Sequence, residues 1–133
     1  MADSNAELVA LIRRAFAEIL ATPDLESRLA AVRRYWAADF VDHSLGEDQA
    51  SGIAGLLDVI EWIYVNRPET TVTIDAAMAE GDLVVTRETW TSRGGVRTVF
   101  HWFRIRGGQV VEEWSGDYRD PNTGPAASAG DGS

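Results

Sequence analysis

An α+β domain in which helices cover one face of a curved, mostly antiparallel sheet is the fold class this sequence predicts, and two observations carry that reading. Up to Asn66 the apolar residues recur at three- and four-residue steps. From Glu69 to Tyr118 the repeat shortens to two, and three glycine-bearing turns divide the stretch into strands.

The first helix is marked by Leu8, Leu11, Ile12, Ala15, Phe16, Ile19 and Leu20, with Ser4 or Asn5 as its cap. Thr22-Pro23-Asp24 interrupts that pattern; Thr22 is expected to cap a second helix and Pro23 to take its first position. Leu25, Leu29, Val32 and Trp36 give that helix its apolar face. The aromatic-rich segment 35–43 reads as a helix end running into a short extended piece, followed by a polar loop over 44–51. A third helix is expected over 53–65, and Asn66-Arg67-Pro68 stops it. Strands follow over 70–79, 83–91, 96–105 and 109–118, turned at Glu80-Gly81-Asp82, Ser92-Arg93-Gly94-Gly95 and Arg106-Gly107-Gly108. The last thirteen residues, 121–133, are rich in Gly, Ala, Ser and Pro and are expected to form a disordered tail after a single domain over 1–120.

Composition narrows the function. A chain of 133 residues supports one core, and 12 basic against 21 acidic residues give a net charge of −9. That charge repels nucleic acid and anionic membranes, so the expected partner is an apolar small molecule. With no Lys and no Cys, Schiff-base chemistry, thiol catalysis and thiolate metal sites are excluded. No phosphate-binding glycine loop or zinc-type histidine pair is present, so neither metal nor cofactor is expected. The start lacks the basic residues and unbroken apolar run of a secretory signal, and the expected location is cytoplasmic.

Strand alternation sorts the chemistry-bearing residues. Thr86, Glu88 and Trp90 share one face of their strand; on the next, Val99, His101, Phe103 and Ile105 lie together, opposite Phe100, Trp102 and Arg104. Because Arg104 and Arg106 belong outside, the His101 face is expected to be the helix-covered interior. An imidazole there, beside a carboxylate on a neighbouring strand, is a proton-transfer pair. The alternative is a core histidine with satisfied hydrogen bonds, and for Glu88 an ordinary cross-strand partner of Arg97 or Arg104.

The order of three helices and four strands, the segment Phe40-Val41-Asp42-His43, the hairpin around Gly81-Asp82, and above all the run from Phe103 to Trp114 resemble the SnoaL-like polyketide cyclases. These belong to the nuclear transport factor 2-like superfamily, which also holds ketosteroid isomerases, limonene epoxide hydrolase and scytalone dehydratase. The resemblance covers roughly residues 6–120 and implies a cone-shaped barrel with one apolar pocket and no cofactor. It places His43 at a pocket histidine. Where the family commonly reads Glu-His-Trp-Asp, this chain reads Glu112-Glu113-Trp114-Ser115, so the usual catalytic aspartate is Ser115. The positions of the epoxide hydrolases' Arg and two Asp correspond to Glu88, Trp90 and Ser115 here, which is not that triad.

The expected acid/base groups are therefore His43, Glu88, His101, Glu113 and Asp117, with Trp36, Phe40, Trp62, Trp90, Phe103 and Ser115 contacting substrate. A bulge near Gly116 would change which of Glu112, Glu113 and Asp117 point inward. The expected function is acid/base proton transfer on a carbonyl-rich small molecule, giving cyclisation, isomerisation or dehydration. The alternatives are an epoxide hydrolase-like enzyme, a binding or dimerisation module of the same fold, or a protein-transport adaptor. Phe100 and Trp102 beside Arg104 form an outer patch expected to be covered in a homodimer.

Overall fold

The computed structural model describes residues 4–44 and 52–118; the expected loop over 44–51, apart from Ser44, and the expected tail over 121–133 lie outside them. Three helices, α1 (Asn5–Ala21), α2 (Leu25–Tyr35) and α3 (Gly52–Asn66), lie against a sheet of five strands: β1 (Trp36–Asp42), β2 (Thr71–Glu80), β3 (Leu83–Ser92), β4 (Gly95–Arg106) and β5 (Gln109–Tyr118). The sheet order is β1-β5-β4-β3-β2, with β1 parallel to β5 and every other pair antiparallel. The sheet is curved and unclosed.

Local chemistry accounts for most boundaries. Ser4 caps α1 in a reciprocal box: its hydroxyl accepts from the Glu7 N–H at 3.1 Å, and Glu7 accepts from the Ser4 N–H at 2.9 Å. The cap of α2 is Asp24 rather than Thr22, because the Asp24 carboxylate accepts from the Ser27 N–H at 3.1 Å. Thr22 instead ends α1, its hydroxyl donating to the Glu18 carbonyl at 2.7 Å. The buried face of α2 also departs from the expected one: it carries Arg28, Ala31, Val32 and Tyr35, while Trp36 opens β1. Arg28 is buried because its Nε donates to the Thr22 carbonyl at 2.6 Å and its guanidinium lies 5.1 Å from the Tyr64 ring centre. At the β4–β5 hairpin both Gly107 and Gly108 have positive φ, 58° and 77°, which a two-residue primed turn demands.

The core lies between the helices and the inner sheet face, where Ile12, Val32, Ile60, Val84, Phe103 and Val110 are fully or almost fully buried. α1 packs on β2 and α2, and α3 packs on α2 and β1.

One irregularity decides what the inner face contains. Val110 pairs with Ile105 and Glu112 with Arg104, so Val111 is an extra residue on β5. Before it, Val110 points inward; after it, Glu113, Ser115 and Asp117 stand opposite Phe103, His101 and Val99, and of those three only Glu113 is buried. The break thus falls at Val111, and pairing across Gly116 is regular.

Truncating Phe103 to Ala should lower the unfolding free energy by about 3–5 kcal/mol through lost packing and a residual cavity. Met78→Ala, on an exposed β2 position, should change it by no more than about 0.5 kcal/mol, both read from urea denaturation.

Candidate active site

β3, β4 and β5 are consecutive and antiparallel, so each places one titratable group on the same inner patch. The register pairs Thr86 with His101, and Phe103 with Glu113. His101 Nδ1 lies 2.7 Å from Glu88 Oε2, and its Nε2 is 3.7 Å from Glu113 Oε2, beyond hydrogen-bond distance. Glu88 is fully buried and accepts three bonds: from His101, from the Thr86 hydroxyl, and from the Trp90 indole N–H at 2.8 Å. Glu113 is buried as well, and its Oε1 accepts from the Trp36 indole N–H at 2.9 Å. The imidazole stacks on Phe103 at 4.9 Å and stands 6.0 Å from the Phe16 ring.

The surroundings shift both titrations upward. Burial alone would lower the His101 pKa, but the hydrogen bond and field of Glu88, with the charges of Glu113 and Asp42, outweigh it and raise the value above 6.5. Burial raises Glu113 above 4.5; His101 and the Trp36 bond oppose this, while Asp42 and Glu88 reinforce it. Folding therefore raises the proton affinity of both groups.

The expected site residues divide between several places. Glu88, His101 and Glu113 converge, with Trp36 and Trp90 as donors to the two acids and Phe103 as the imidazole's platform. Phe40 is a core residue. Ser115, opposite His101 in register, is exposed and receives no buried partner, its N–H donating to the Ser44 hydroxyl. Asp117 is exposed and pairs with Arg97 at 3.0 Å. His43 lies on the other side of the sheet, stacked on Trp114 at 4.7 Å and 2.9 Å from Glu112. Arg104 occupies that outer face too, bonded to Asp82 and Glu112, so neither it nor Arg97 partners Glu88. Thr86 and Asp42 complete the inner cluster. Thr86 was visible as a face-mate of Glu88; Asp42 was not singled out, since its influence comes through parallel pairing of β1 with β5.

Two cavities flank the cluster. One of about 490 Å³ opens between the end of α3 and the β2–β4 strands, walled by Val59, Trp62, Ile63 and Trp90 with Arg67 and Arg97 at its edge. Trp36 does not line it, being buried against Glu113. The other, about 480 Å³, is a groove on the outer face lined by Leu83, Phe100, Trp102, Arg104 and Trp114. No group of three or more metal-ligating side chains occurs among the described residues, and no described helix is long and apolar enough to cross a membrane.

A curved unclosed sheet under three helices, with acids on its inner face, defines the cone fold of the nuclear transport factor 2-like class. The SnoaL-like domain family matches residues 12–113, more than half of the chain, and the protein belongs to that family. No curated protein matches in sequence. Among solved structures, IdmH of Streptomyces antibioticus, assigned as a polyketide cyclase, is 21% identical with a TM-score of 0.73, covering 91% of this chain and 97% of that one. A protein of Bacillus cereus ATCC 10987 with the same assignment is 18% identical at TM-score 0.72, over 84% and 74% of the two chains. One from Kribbella flavida DSM 17836, assigned as a ketosteroid isomerase, is 15% identical at 0.67, over 87% and 81%. At these identities the likeness establishes the fold.

The two upward shifts have the same sign for stability, because the folded chain holds protons that the unfolded chain has released. The His101 contribution is complete below pH 6.5 and is lost as pH rises through its higher folded value. Glu113 begins to cost stability once pH passes 4.5. Glu112, held low by His43 and Arg104, works oppositely, losing its contribution as pH falls below 4.5. Thermal melts from pH 4 to 9 should therefore show a mildly acidic maximum, and Glu113→Gln should flatten the alkaline decline.

Proposed function

We propose that this protein is a small cofactor-independent enzyme that moves protons on an apolar, carbonyl-rich molecule, with cyclisation, isomerisation or dehydration as the outcome. The observation that carries this reading is His101, held between two buried acids on three adjacent strands. Their arrangement divides the labour. Glu88 accepts three hydrogen bonds, so it acts as a positioning residue that fixes the imidazole through Nδ1–H. In the neutral imidazole, with its one N–H on Nδ1, Nε2 is then the atom that removes a proton next to a carbonyl. Glu113, favoured in its neutral form by burial, donates from Oε2 to the enolate oxygen, while the Trp36 N–H holds its other oxygen. The family and the cyclase and isomerase assignments of structural neighbours support this chemistry.

A second reading, a binding protein without catalysis, is favoured by one observation: the inner cavity is lined by Trp90 and not by His101, Glu88 or Glu113. One assay separates the two. Deuterium uptake from D2O next to the carbonyl of 2-tetralone should be accelerated by the native protein and fall by roughly 10²–10⁴-fold in His101→Gln, with a smaller loss in Glu88→Gln. Equal exchange by native protein and His101→Gln, both folded by circular dichroism, would transfer the reading to binding alone.

The outer groove is the proposed contact between two copies. Phe100 is 41% and Trp102 50% exposed, side by side on a face that Arg104 helps to line. Light scattering at micromolar concentration should give a dimer, and Trp102→Ser should give a monomer with unchanged secondary structure.

A further inference from the structure

We propose that the cavity between α3 and the β3–β4 turn is a subsite for the carboxylate of a flat aromatic ligand, read by Arg67. This rests on the protein handling an apolar small molecule, but not on the chemistry at His101. The charge of the lining is the first observation. In a chain of net charge −9, the cavity contains two arginines and no acid. Arg97 is already paired with Asp117, whereas Arg67 has no ion pair among the described residues. Glu69, which feels the Arg67 charge, turns its carboxylate instead to the Arg93 N–H at 2.9 Å.

The orientation of Arg67 is the second. Its Nη1 donates to the Asn66 carbonyl at 3.0 Å, and its guanidinium lies over Trp62 with Cζ 5.4 Å from the ring centre. One nitrogen and one face are thereby fixed, and the opposite edge, Nε with Nη2, meets no acceptor among the described residues. That edge presents two parallel N–H groups, the geometry that grips a carboxylate bidentately. The turn leaves it room. A Cβ at Gly94 would sit 3.9 Å from Arg67 Nε, in ordinary contact, so glycine keeps the approach clear without any strained φ. Trp62 and Trp90 supply flat apolar walls for the rest of the ligand.

Occupancy also reaches the acid cluster through one side chain. Trp90 lines the cavity and donates to Glu88, which in turn holds His101. A ligand anchored at Arg67 thus lies along the indole whose N–H helps to fix the acid/base pair.

Calorimetric titration with 2-naphthoate and its neutral analogue 2-naphthamide tests this at low ionic strength. Native protein should bind the carboxylate roughly tenfold to a hundredfold more tightly than the amide. Arg67→Gln should abolish the preference while retaining amide binding, and Gly94→Val, which crowds the same edge without changing charge, should reduce it. Equal affinity for the two probes, no binding of either at millimolar concentration, or a preference that survives both substitutions would overturn the proposal. The readout is binding and not turnover, so a failure of the catalytic reading leaves this result standing, and the reverse.

Discussion

Everything distinctive about the inner face depends on one extra residue in β5. A regular strand that buries Val110 must also turn residue 112 inward, and Glu113 would then face solvent. With Val111 inserted, Val110 completes the core beneath the helices and Glu113 meets His101 two pairs further on. The same shift sends Glu112 and Trp114 outward, where they hold His43 and line the outer groove. Two surfaces with different chemistry thus follow from a single break in alternation.

Placing three titratable groups in that interior carries a desolvation cost of several kcal/mol per charge, and the hydrogen-bond donors around them offset it. Two indoles, one hydroxyl and one imidazole serve the two carboxyl groups, and each comes from a strand. The cluster is asymmetric as a result. Glu88 is saturated with donors, whereas Glu113 has one firm bond and a facing nitrogen at 3.7 Å. Burial acts more freely on the less satisfied acid, which is why its proton affinity rises.

Much of this arrangement was legible in the sequence because its cause is periodic. Alternation alone placed Glu88 and His101 on one inner face, and the glycine turns set the hairpins that bring them together. The orientation of Glu113 was not readable, since it hinges on a bulge whose position alternation cannot supply. The expectation for α2 failed where hydrophobicity was used as the only guide, because a buried arginine satisfied by Thr22 and Tyr64 looks polar in a sequence. His43 was carried by resemblance to a position that parallel pairing of β1 puts on the far side of the sheet. Arg67 gave no signal, as its edge is defined only once α3 stops beside the β3–β4 turn.

The acid/base cluster lies within β3, β4 and β5, three strands joined by short hairpins, with Glu88, His101 and Glu113 separated by nearly equal lengths of chain. The Glu88–His101 contact closes through local pairing across one hairpin and needs no long loop, whereas Glu113 takes its hydrogen bond from Trp36 on β1. Glu113 gains that donor only where β1 lies beside β5. The order of the strands therefore matters as much as the identity of the residues they carry.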